Sequence, residues 1–138
     1  MKLLLVSLLS LSSVFANVAD VRCDINRPIV VQGTFGNIAF NQAELDFTNL
    51  DKENLNFATL IMQDRFGSAY EVFNRLWSTN SRCISGDLCV STEFSSLRGL
   101  SFSFPEEVFT NNFHNFTMRV RSNQTNRTYF ASCNSTKR

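Results

Sequence analysis

Four cysteines, Cys23, Cys83, Cys89 and Cys133, are the side chains in this 138-residue chain best equipped for covalent chemistry, and their spacing decides which chemistry. No two form a C-x-x-C pair and the chain holds one histidine, His114, so a tetrahedral zinc site lacks ligands. An even count points instead to two disulfides in an oxidising compartment. Cys83 and Cys89 flank Ile-Ser-Gly-Asp-Leu, whose Gly86-Asp87 step suits a tight reversal, while Cys23 and Cys133 stand towards opposite ends. The favoured pairing is Cys83–Cys89 with Cys23–Cys133. The two crossed pairings, which tie the central loop to both ends, stay open.

Acid–base chemistry has thinner material. A small ribonuclease-type hydrolase would need His114 together with Glu93, Glu106 or Glu107, beside an arginine that binds phosphate. A single histidine flanked by Phe113 and Asn115 reads more simply as a loop residue. No Gly-x-Ser-x-Gly elbow, His-Glu-x-x-His pair or phosphate loop occurs. The sequence therefore predicts no catalytic residue, no metal and no cofactor.

Asparagine carries the next signal. Asn115, Asn123, Asn126 and Asn134 each have Thr two residues on, and none of the other 11 Asn is an N-glycan acceptor. Acceptors must face solvent, so they predict exposed loops or strand faces. Phe113, two before Asn115, could stack on the first sugar.

Charge is balanced in total and uneven along the chain. With residues 1–16 removed, 12 basic residues face 12 acidic ones. No acid follows Glu107, whereas Arg119, Arg121, Arg127, Lys137 and Arg138 do. A basic patch interleaved with glycan acceptors makes a poor nucleic-acid stripe, so no nucleic-acid partner is expected. Opposite charges pairing over the surface explain the asymmetry more simply.

The elements that must position these residues begin after a leader. Lys2 precedes the apolar run Leu3–Leu11, and Val14-Phe15-Ala16 offers a signal-peptidase site, so residues 1–16 read as a signal peptide. Nine residues are too few for a span needing about 20. The expectation is a single secreted, β-rich domain over 17–138, extracellular and not membrane-spanning. A β-branched run closed by Gly36 marks a strand at 27–35, period-2 alternation marks 38–47 (with a slip near Asn41) and 55–62, with Ala58, Leu60 and Met62 on one face, and 90–94 and 100–104 read as further strands. Phe116, Met118 and Val120, expected in the core, alternate with Thr117, Arg119 and Arg121, the two arginines expected to be exposed, and Thr128–Ala131 returns beside them as a hairpin. Phe66, Tyr70, Phe73 and Trp77 fall at helical spacing behind a Ser68–Glu71 capping box, which predicts a short helix over 66–78. Pro105 suits the start of a single helical turn. The fold expected is mainly β, a small antiparallel β-sandwich or barrel of roughly seven strands with one short helix and two disulfides.

In size and organisation the chain resembles small cysteine-bridged β proteins secreted as effectors or ligands, although no motif carries the resemblance. The function expected is a binding module for a protein on a host or neighbouring-cell surface. The candidate contacts lie in the loops 49–54 and 84–88, at Asp51, Lys52, Glu53 and Asp87, because loops carry recognition on rigid β scaffolds. The alternative is a carrier holding a lipid or small apolar ligand inside the sandwich.

Overall fold

A computed structural model gives the fold and describes residues 18–79, 83–112 and 115–138. The leader expected at 1–16, with Phe113 and His114, lies outside the described residues.

Eleven strands follow one another: β1 (Val18–Ile25), β2 (Ile29–Gly33), β3 (Gly36–Phe40), β4 (Ala43–Asp51), β5 (Thr59–Asp64), β6 (Tyr70–Phe73), β7 (Trp77–Ser78), β8 (Leu88–Ser91), β9 (Leu100–Phe104), β10 (Phe116–Ser122) and β11 (Thr128–Lys137). A 3-10 turn, Leu55–Phe57, precedes β5, and the helix α1, Glu107–Thr110, follows β9. Nine strands form one antiparallel sheet in the order β6-β5-β4-β1-β11-β10-β9-β8-β7, and β2 and β3 form a separate hairpin. The architecture is mainly β, as expected, but with more strands than seven.

The sheet curls, and the chain's own reach requires it. Flat, its edge strands β6 and β7 would stand about 38 Å apart at the usual inter-strand spacing. Yet Phe73 ends β6 and Trp77 begins β7, a stretch that spans at most about 14 Å. Eight antiparallel steps separate the two edges, so β6 and β7 run in the same direction. They behave as one strand that bends at 74–76, pairing first with β5 and then with β8. The gap between their ladders is a seam.

The wall follows from period-2 alternation. On β10, Phe116, Met118 and Val120 are buried, and on β11 so are Tyr129, Ala131, Cys133 and Ser135. On β4, Ala43, Leu45 and Phe47 point inward, and a bulge then adds one residue against β1. Asn49 takes that extra place at φ 57°, with its N–H donating to Asp20 Oδ1 at 3.0 Å. Inside, Phe47 of β4 meets Phe102 and Phe104 of β9 edge-on at 4.9 and 5.0 Å.

Successive strands alternate direction, so the connections after β1, β5, β8 and β10 reach one end, the upper, and those after β4, β7 and β9 reach the other. The β2–β3 hairpin covers the upper end, with Ile29, Val31 and Phe40 in the core. The Thr34 amide and hydroxyl at its tip donate to Glu71 Oε1 on β6 at 2.9 and 2.6 Å. At the lower end α1 buries Val108 and Phe109. Cys23 and Cys133 lie directly opposite each other on β1 and β11 and are bonded, as are Cys83 and Cys89. On the loop-entropy account, the clasp across 110 residues contributes about 4–5 kcal/mol and the six-residue clip about 2–3.

Two expectations are corrected. No helix forms over the described residues 66–78, because the free edges of β5 and β8 take this segment as a strand. Ladder pairs such as Leu60–Phe73 and Trp77–Ser91 satisfy backbone groups that a helix would leave bare along both edges. Arg119 and Arg121 are half-buried rather than exposed. They stand opposite Ser103 and Ser101, and beside such short side chains their stems lie down on the sheet, with both Nε atoms buried.

Candidate functional site

The lower end brings the two candidate loops together. After β4 the chain turns at Asp51, whose Oδ1 accepts from the Glu53 N–H at 2.9 Å. The 3-10 turn that follows is capped by Asn54, whose Oδ1 accepts from the Asn56 N–H at 3.0 Å. This segment lies along the seam beside β7 and the start of β8. Between them is a groove of about 300 Å³. Its lining is mixed, with Leu55, Leu76, Trp77 and Leu88 apolar and Lys52, Glu53, Asn54, Asn56 and Ser78 polar.

Trp77 is held from several directions. The Arg75 guanidinium sits over its ring at 4.0 Å, an attraction between cation and ring quadrupole. Phe94, itself 79% exposed, meets the ring edge-on at 5.0 Å. Arg75 also reaches across the seam, donating from Nη2 to Asn56 Oδ1 at 3.3 Å.

Of the four residues singled out in the sequence, Lys52 and Glu53 line the groove, while Asp51 and Asp87 do not. Lys52 forms an ion pair with Glu106. Asp87 closes the turn one residue before Leu88, its N–H donating to the Ile84 carbonyl at 3.1 Å. Burial pushes the Asp87 carboxyl above the ordinary carboxylate value, with Glu107 adding repulsion and Arg119 opposing both. The sequence reading missed Trp77, Arg75 and Asn56. The signal was available, since Trp77 is the only tryptophan, but assigning it to a helix placed it on an apolar face.

The acidic partners considered for His114 do not converge. Glu93 lies in the upper connection after β8, whereas Glu106 and Glu107 lie at the lower end. Among the described residues, no three His, Cys, Asp or Glu side chains group to hold a metal ion, and no helix is long and apolar enough to cross a membrane.

Three of the four glycan acceptors, Asn115, Asn126 and Asn134, are exposed. Asn115 and Asn126 take positive φ, at 55° and 58°, and the Asn115 N–H donates to Asn134 Oδ1 at 2.9 Å. Asn123 departs from the expectation. It is 7% exposed, and its Nδ2, the atom a glycan would occupy, donates to Ser101 Oγ at 2.8 Å. The β10–β11 turn folds that amide back onto β9.

In comparisons with known families, curated proteins and solved structures, nothing matches this chain. Every residue role must therefore come from the chain itself.

Proposed function

We propose that this chain is a small secreted, disulfide-bonded glycoprotein that acts as a binding module on a host or partner cell surface, in the manner of an effector or ligand. One observation carries the reading. The loop after β4 and the start of β8, far apart in sequence, meet around a groove lined by a tryptophan that packs against Arg75. The rest of the lower end is braced, by the Lys52–Glu106 pair and by α1 in the core.

Secretion is supported by the leader pattern in residues 1–16 and by two disulfides, which persist in oxidising compartments. Glycans on Asn115 and Asn134 would rise from the wall near β10 and β11, and one on Asn126 from the upper end, and none of the three acceptors lines the groove. The carrier alternative loses ground to packing, since Phe47, Phe102 and Phe104 fill the interior where a lipid would lie.

The test uses labelled glycoprotein from a eukaryotic host and flow cytometry of binding to cultured eukaryotic cells. One variant replaces Asp51, Lys52, Glu53 and Asp87 by Ala, and a second replaces Arg119, Arg121 and Arg127. Loss of binding in the first variant alone is expected. Loss in the arginine variant alone moves the site to the basic face, and no binding by the unaltered protein ends the module reading.

A further inference from the structure

We infer that the groove beside Trp77 takes the uncharged pyranose end of a glycan, which makes the module a reader of neutral sugars. The inference rests on the binding-module reading and assigns its ligand chemistry. A pyranose has an apolar C–H face and a rim of hydroxyls, and the lining of the groove holds both kinds of partner. Trp77 with Leu55 and Leu88 supplies apolar surface for the ring face. Glu53 supplies an acceptor. The Asn54 and Asn56 oxygens are engaged, by the Asn56 N–H and by Arg75, which leaves their amide NH2 groups to donate to hydroxyls.

Charge selects a neutral sugar. Of the two cations described nearby, Lys52 is paired with Glu106 and Arg75 contacts Trp77 and Asn56. Glu53 is a carboxylate of the lining, so a sialylated or sulfated sugar meets repulsion, and among the described residues no disengaged cation offsets it. Size agrees, because about 300 Å³ is at the low end for ligand sites and admits one or two sugar rings.

Trp77, as the single tryptophan, reports on the groove directly. Its emission would be followed while the folded glycoprotein is titrated with lactose, mannobiose, N,N′-diacetylchitobiose and sialyllactose at millimolar concentrations. At least one neutral disaccharide should shift the emission saturably. The double variant Glu53→Ala with Asn54→Ser, which keeps a capping oxygen for the 3-10 turn, should bind that sugar about tenfold more weakly at an unchanged melting temperature. No response to any neutral sugar overturns the inference, as does tighter binding of sialyllactose than lactose, or full binding by a stably folded double variant. Periodate oxidation of cell-surface glycans separates this idea from the one beneath it. Cell binding that survives periodate overturns the sugar inference while the module reading stands. A protein that binds a disaccharide but no cell surface supports the inference and ends the module reading.

Discussion

Phe47 offers the most direct test of the curl. It lies on β4, four places along the sheet from β9, so in a flat sheet it would stand about 19 Å from Phe102. The ring centroids are instead 4.9 Å apart, and Phe47 is 1% exposed. Phe47→Ala should therefore cost about 3–5 kcal/mol, the range for emptying a buried phenylalanine site. Against a total of about 5–15 kcal/mol, that is a large share of stability. Urea unfolding followed by Trp77 emission should show the midpoint falling by about 2 M. The sharper measurement is a double-mutant cycle with Phe47→Leu and Phe102→Leu, which keeps bulk and removes the ring-to-ring contact. Coupling of about 0.5–1.5 kcal/mol is expected for an edge-on pair. Coupling within about 0.3–0.5 kcal/mol of zero, as for sites more than 10 Å apart, would refute the contact and the curl with it.

Three further outcomes follow from the wall and its surface. Met118→Asp should destabilise by about 3 kcal/mol or more, by placing an unpaired charge at a fully buried position, whereas half-buried Arg119→Ala should cost about 1 kcal/mol through lost packing; equal melting temperatures would contradict the register of β10. The raised Asp87 carboxyl means that the folded state binds this proton more tightly than the unfolded chain, so ionisation costs stability at neutral pH. Asp87→Asn should melt higher than the parent at pH 7, with the advantage fading on acidification through the raised range and absent below the ordinary 3.8, as measured by thermal melts across pH. Mass spectrometry after enzymatic deglycosylation in heavy water should mark only exposed acceptors among Asn115, Asn126 and Asn134, and a mark on Asn123 would show that its bond to Ser101 is not kept.

Much of the wall was legible because period-2 alternation is a local signal. Met118 and Val120 inward, and Ala58, Leu60 and Met62 on one face, follow from the pattern alone. The slip near Asn41 is where β3 of the hairpin gives way to β4 of the main sheet. Other elements depend on partners remote in sequence. β1 carries Asp20, Arg22 and Asp24 between its inward residues and became a strand between β4 and β11. The far half of β11 is Ser- and Asn-rich, with weak strand preference, and is held by β1 through the Cys23–Cys133 pair. Helical spacing over 66–78 was a true local pattern that lost to two open sheet edges. The candidate site was half legible for the same reason. Lys52 and Glu53 announced themselves as a polar loop, but the wall they face is formed only when β7 leaves β6.

That bend gives the molecule a back and a mouth. Counting along the sheet from either edge, the middle strand is β11, stitched to β1 by Cys23–Cys133, and the seam between β6 and β7 lies on the far side of the ring. The sheet is a C-clamp with a covalently pinned spine. Among the described residues its jaws are joined by three residues of chain, by the Arg75–Asn56 hydrogen bond and by the Lys52–Glu106 pair, far less than a ladder. Breathing motions should therefore concentrate at the jaws, and amide hydrogen exchange should quicken from β1 and β11 towards β6 and β7. The Trp77 groove sits in those jaws, so a ligand seated there would also grip the ring shut.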